Sequence, residues 1–168
     1  RIHFVVAWGK QIGTGHYHRC FHLARLLSHH HITGQRAGDP LATQTGPFPY
    51  GDGSDADVTV FDRLEVPSPD LLEAKARGKV VVLEDEGADT GQLADLRVNE
   101  MLDPADLRYV TLREEFCCLP ERKHWPRGDK VLVTFGGTDP AGLTERVADQ
   151  LRSQDVRTIR PGDGASMA

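Results

Sequence analysis

Apolar residues gather in short runs separated by glycine, proline and charge, and the runs alternate between a strand period and a helix period. Ile2-His3-Phe4-Val5-Val6-Ala7 is nearly continuous and is bounded by Gly9 and Gly13, the pattern of a parallel strand buried on both faces. Behind it, Cys20, Leu23, Ala24 and Leu27 recur at i, i+3, i+4 and i+7, one apolar stripe on a helix that starts near His16. Val58-Thr59-Val60-Phe61 is a second β-branched run and leads into Asp62. Ser68-Pro69-Asp70 reads as N-cap, N1 and N2 of a helix that carries Leu71, Leu72 and Ala76 and stops at Gly78. Lys79–Leu83 is the next strand and runs into Glu84-Asp85-Glu86-Gly87; two short strands follow at Asp95–Asn99 and Leu107–Val110.

Residues 119–129 are rich in proline and charge and have no period, as in a linker. After them, Lys130–Phe135 reads as a buried strand and Gly136-Gly137-Thr138-Asp139-Pro140 as a second glycine turn. Asp139 is placed to be an N-cap with proline at N1, and Leu143, Val147 and Leu151 mark a helix face. Val156–Ile159 begins one more strand. Strands alternating with helices predict an α/β fold, a Rossmann-like parallel sheet with flanking helices. The expected division is a first domain over 1–118, a linker over 119–129 and the first part of a second domain over 130–168. Residues 29–57 fit least well: glycine and proline recur, almost nothing apolar is periodic, and the expectation there is loop.

Composition narrows the class. With 168 residues, 39% apolar, 27% charged and a net charge of -5, the chain is a soluble globular type with no basic stripe for nucleic acid. No apolar run approaches the length of a membrane span. Three cysteines, two of them adjacent (Cys117 and Cys118), argue against a disulfide framework and for a reducing cytoplasm.

The first strand–turn–helix unit carries the candidate chemistry. Gly13-Thr14-Gly15-His16 precedes the helix, and Arg19 lies one turn further on. Such a turn presents unpaired backbone N–H groups and the positive end of a helix dipole at the carboxyl edge of a sheet, where phosphates bind. The spacing G-x-G-H-x-x-R lacks the third glycine of a dinucleotide fingerprint and the lysine of a Walker loop. If the strands are parallel, Asp62 and the acids at 84–86 share one rim with His16. Arg19 then either pairs with Asp62 or one of those acids, or faces substrate. His16 read from the residues alone is a structural helix start or a base. A neutral imidazole is favoured over its charged form near a helix N-terminus, which suits a proton acceptor. His18 and His22, spaced i and i+4, have no evident third ligand and read as a plain helix face, and His29-His30-His31 as solvated loop.

Taken together, Gly13-x-Gly15-His16-x-x-Arg19, Glu84-Asp85-Glu86, Val98-Asn99, Tyr109-x-x-Leu112-Arg113-Glu114-Glu115-Phe116 and Gly136-Gly137-Thr138-Asp139 resemble the UDP-sugar hydrolases of pseudaminic acid biosynthesis. That family is grouped with spore-coat polysaccharide biosynthesis proteins and is similar to GT-B glycosyltransferases. The resemblance implies a GT-B arrangement of two Rossmann-like domains facing a cleft, with UDP held mainly by the C-terminal one. It also implies hydrolysis of a UDP-linked diacetamido-trideoxy sugar without cofactor or metal, with His16 as the base. Substrate and phosphate contacts are expected from Gly13, Thr14, Gly15, Arg19, Asp62, Asp85, Asn99, Arg113, Gly136, Gly137 and Thr138. The family's second domain continues well past the position of Ala168, so a truncated second domain, poor UDP binding and self-association through an exposed apolar face are expected of this chain. Two other functions fit the same residues: a glycosyltransferase in which an acceptor hydroxyl replaces water, and a non-catalytic module that binds a nucleotide sugar.

Overall fold

The computed structural model describes residues 1–9, 12–38, 48–84, 87, 90–99, 108–111, 130–135, 139, 141–151 and 155–158. The chain divides into two compact units, one formed by Arg1–Ala7 and His16–Arg113, the other by Trp8–Gly15 and Glu114–Ala168.

The first unit is built on a five-stranded sheet: β1 (Ile2–Val6), β2 (Ile32–Arg36), β3 (Val58–Asp62), β4 (Lys79–Leu83) and β5 (Leu96–Val98). Their spatial order is β2-β1-β3-β4-β5. Every neighbouring pair is parallel, and the register sets Val6 opposite Asp62 and Asp62 opposite Leu83. All strands therefore end on the same rim. Helix α1 (Gly15–Leu26) follows β1, α2 (Ser68–Arg77) follows β3, and a single turn, α3 (Thr90–Leu93), precedes β5. Consecutive strand residues point to opposite faces. Phe61 packs with Leu71 and Ala74 of α2, in a core shared with Val5, Val80 and Val82. Its neighbour Asp62 bonds to side chains of α1. The two helices thus cover opposite faces of the sheet, as a doubly wound Rossmann-like α/β unit requires.

The expected loop over 29–57 contains a strand. Its apolar cover comes from outside its own sequence: Phe48 stacks on Phe4 with ring centroids 5.1 Å apart and 4° between planes. A side chain at Gly34, in the middle of β2, would meet the Phe48 ring at 2.9 Å and the Phe4 carbonyl at 3.1 Å. Glycine replaces the strand's central apolar residue because a later phenylalanine fills its place, and the periodicity disappears. The outer edge of β2 is closed as well, by the Gly34 N–H donating to the Pro49 carbonyl (3.0 Å) and a parallel bridge between Gly34 and Tyr50.

Several boundaries and faces also differ from expectation. Arg108 and Tyr109 form a 3₁₀ turn in place of the strand expected at Leu107–Val110. The Arg108 guanidinium sits 5.2 Å from the Tyr109 ring centroid, a same-side contact that the alternation of a strand would prevent. On α1 the buried residues are His16 and Cys20, whereas Leu23 and Ala24, and Leu27 just past its end, are only half-buried, because the helix is seated on a polar group of the sheet. Helix α2 has Pro67 as its N-cap, and it buries Leu71 and Ala74 while Leu72 stays 54% exposed and Ala76 is exposed. Gly78 does end it, with its N–H donating to the Ala74 carbonyl.

A methyl group at Gly78 would lie 2.3 Å from the Asp57 carbonyl oxygen, on backbone that also accepts from the Lys79 N–H. Gly78→Ala is expected to cost about 1–3 kcal/mol through overpacking, read as a lower urea midpoint. An unchanged midpoint would show that the Asp57 backbone shifts freely.

In the second unit, β6 (Lys130–Val133) and β7 (Asp155–Thr158) pair in parallel, with helix α4 (Leu143–Gln150) between them in sequence. The cap differs from expectation. Gly142, in the left-handed region at φ 60°, is the N-cap, and the helix starts only after it. Asp139 still serves that end: its two carboxylate oxygens accept from the Leu143 and Thr144 N–H groups, each at 2.9 Å. Those bonds hold its carboxyl below the usual range. The expected linker, 119–129, lies outside the described residues. Among those described, no helix is long and apolar enough to cross a membrane.

Candidate active site

Two strand ends and one helix supply the site. Asp62 closes β3 on the α1 side and is fully buried. Glu84 follows β4, and α1 presents His16, Arg19 and Cys20 one turn apart. The His16 ring is 7% exposed, and its Nδ1 lies 2.7 Å from Asp62 Oδ1. Arg19 grips the same carboxylate side-on, donating from Nε to Oδ2 at 2.9 Å and from a terminal nitrogen to Oδ1 at 2.6 Å. Its other terminal nitrogen donates to Glu84 Oε1. The Cys20 thiol donates to Asp62 Oδ2 at 3.2 Å. Four donors therefore converge on the two oxygens of one buried carboxylate, which satisfies its accepting capacity and leaves it no freedom to turn.

Electrostatics follow from that arrangement. Burial alone would push the Asp62 carboxyl up, but hydrogen bonds from His16 and Arg19 and the guanidinium charge outweigh it and hold the group below its usual value. Burial likewise works against the Arg19 charge, and its bonds to Asp62 and Glu84 more than offset that, so the guanidinium is held more firmly protonated than usual. Cys20 is pushed well up, first by burial and then by the Asp62 charge, so it is a thiol rather than a nucleophile.

An ionised Asp62 assigns the tautomer of His16. Nδ1 carries the proton and donates it to Asp62. The Arg19 nitrogen 3.2 Å from Nδ1 is a neighbour that shares the same acceptor. Nε2 is then the lone-pair nitrogen, and it has no hydrogen-bond partner among the described residues. A carboxylate behind Nδ1 orients the ring and stabilises the imidazolium that forms when Nε2 takes a proton.

Glu84 has φ 56°, left-handed backbone that costs a non-glycine residue roughly 1–2 kcal/mol. Its N–H donates to the Val98 carbonyl at 2.8 Å, which fixes the turn that carries its carboxylate over to Arg19. His16, Asp62 and Glu84 also have potential ligand atoms within 4.8 Å of one another. The Arg19 guanidinium already bridges both carboxylates, so a metal ion bound there would have to displace it. His18 is exposed and His22 half-buried on α1, and no third ligand joins them among the described residues. His29, His30 and His31 are exposed after the helix.

Of the residues expected in the site, His16, Arg19 and Asp62 are brought into direct contact. Asn99 is buried immediately after β5, on the same rim. Gly13 lies in the second unit with φ 91°, and its N–H donates to the Gly9 carbonyl at 2.7 Å. Thr14 forms a bend beside it. Gly15 is expected to contact phosphate from a glycine turn. It is an ordinary helical residue instead, with open space where a side chain would be, since it already belongs to the first turn of α1. Asp85, Arg113, Gly136, Gly137 and Thr138 lie outside the described residues. Cys20 was expected only as part of an apolar stripe; its spacing of i+4 from His16 was the available sign that it shares the Asp62 side of the helix. No protein-family model matches the chain, and no curated protein is significantly similar to it.

Proposed function

We propose that the chain contributes the general base of a nucleotide-sugar hydrolase, one that splits a UDP-linked amino or deoxy sugar into UDP and free sugar. The observation that carries this reading is the 2.7 Å contact between His16 Nδ1 and buried Asp62, at the carboxyl rim of a parallel sheet, with no partner for Nε2 among the described residues. The resemblance of the G-x-G-H-x-x-R spacing and the four later segments to the UDP-sugar hydrolases supplies the substrate class.

In the proposed step, a water molecule on Nε2 gives up its proton to the ring as its oxygen attacks the anomeric carbon. The carbon–oxygen bond to the diphosphate breaks, and its electron pair leaves with UDP. Asp62 holds the ring and stabilises the imidazolium. Arg19 keeps Asp62 ionised, and Glu84 braces Arg19. The guanidinium is engaged by two carboxylates, so in this reading the departing diphosphate is steadied by groups other than Arg19. By the resemblance, the uridine and diphosphate are held mainly by a C-terminal domain.

Incubating the protein that contains residues 1–168 with a UDP-linked diacetamido-trideoxy sugar, with no acceptor present, tests the reading. Stoichiometric UDP and free sugar are expected. UDP release that requires an added acceptor hydroxyl would assign a glycosyltransferase instead, and saturable binding without turnover a sugar-binding module.

A further inference from the structure

We propose that His3 is an acid-operated latch, whose protonation releases the Gly51–Asp57 crossover from the sheet. His3 lies on β1, on the face opposite the candidate active site, and is 1% exposed. Its Nδ1 shares a hydrogen bond with Thr33 Oγ1 of β2 at 3.0 Å, while its Nε2 is buried with no partner. The crossover from β2 to β3 closes directly over this pair. A side chain at Gly53, where φ is 71°, would lie 2.6 Å from the ring's Cδ2, and one at Gly51 would lie 2.7 Å from the Thr33 Cβ. Glycine at both positions is what lets the segment press against the imidazole. Beside it lies a cavity of about 260 Å³, lined in part by His3.

A neutral ring suits this place and a charged one does not. Once protonated, both nitrogens must donate. Thr33 can take one hydrogen, and Nε2–H would be left in a buried position without an acceptor, which is costly. The surroundings set the direction of relief. Arg77 of α2 repels the new charge and is itself paired with Glu73 at 2.7 Å. Arg36 at the end of β2, Arg63 after β3 and Asp70 of α2 line the same cavity, and Arg63 leans toward Asp70 at 3.9 Å. The carboxylates that attract His3, Asp52 and Asp55, belong to the crossover itself. Asp52 accepts from the Ser54 N–H at 3.0 Å, which keeps its carboxyl below the usual range and therefore anionic while the ring charges. Opening of the crossover is the movement that admits water to Nε2 and lets one of these carboxylates approach it.

Burial first, and Arg77 second, lower the His3 pKa to about 4. The unfolded or opened ring titrates near 6.5, so the neutral ring's contribution to closure is complete above that pH and is lost as pH falls from there to about 4. Native-state hydrogen exchange, corrected for intrinsic rates, reads this directly at the Ala56, Asp57 and Val58 amides. Those amides donate to the Gly53 carbonyl (Ala56) and the Arg1 carbonyl (Asp57 and Val58). Between pH 6.5 and 4.5 their opening equilibrium is expected to rise about 40-fold, with β4 amides unchanged, and the step is expected to vanish in His3→Phe. An equal step in His3→Phe, or no step in the wild-type chain, would overturn the proposal. Should His3→Phe not fold, wild-type NMR decides: the ring and the crossover amides are expected to titrate together near pH 4. A ring titrating near 6.5 while those amides stay still would overturn it.

Discussion

Replacing His16 by asparagine is expected to leave the fold and the substrate affinity close to wild type while removing most of the turnover, roughly the 10²–10⁴-fold that a general base supplies. Asparagine can keep a hydrogen bond to Asp62 Oδ1, which now accepts from His16 Nδ1, so the buried carboxylate is not orphaned. It has no basic nitrogen to place where Nε2 stands. The affected quantity is therefore kcat, with little change in the dissociation constant of the UDP-sugar. Near-normal turnover would reduce His16 to a residue that starts a helix, and the base would have to be sought among the acids of the same rim.

The largest stability effect is expected at Asp62. Truncation to alanine removes the acceptor of four donors and strips the Arg19 guanidinium, whose side chain is 17% exposed, of its buried carboxylate while the pair with Glu84 stays. Breaking a buried pair from one side typically costs about 3–5 kcal/mol, and a urea titration at neutral pH should show a loss of that order. A loss below about 1 kcal/mol would mean that the guanidinium is satisfied without Asp62. The pH dependence has a definite sign. The folded carboxyl titrates below its unfolded value, so its contribution is complete above about pH 4, the unfolded value, and is lost as pH falls through the folded one. In Asp62→Ala that acid-dependent part of the stability curve should be absent.

The rim geometry was legible because it depends on few things: apolar runs at 2–7, 58–61 and 79–83, helical patterns between them, and the rule that parallel strands place their ends together. Asp62 and His16 had to share an edge once those runs were parallel. What stayed hidden was the origin of each contact. β2 could not be read from Ile32-Thr33-Gly34-Gln35-Arg36, since its central position is a glycine covered by Phe48. Leu72 and Ala76 looked equivalent to Leu71, but Ala74 is the residue that faces Val80 and Val82, a choice that the position of the sheet makes and periodicity cannot. Arg19 could pair in sequence with Asp62, with any of the acids at 84–86, or with substrate; the left-handed backbone at Glu84, invisible in composition, brings a second carboxylate to it. Asp139 was correctly a capping residue but assigned to the wrong turn, because a left-handed Gly142 lies between it and the helix.

The central claim is that a water activated at His16 attacks the sugar carbon. Turnover of the UDP-sugar in ¹⁸O-water, without acceptor, followed by mass spectrometry of the nucleotide, tests it most directly. Cleavage of the carbon–oxygen bond keeps the bridging oxygen on the diphosphate, so the account predicts UDP that carries no label and free sugar that takes the water's oxygen at its anomeric hydroxyl. Labelled UDP would place the attack on phosphorus, and an absence of any acceptor-independent UDP would remove hydrolysis altogether; either result contradicts the account.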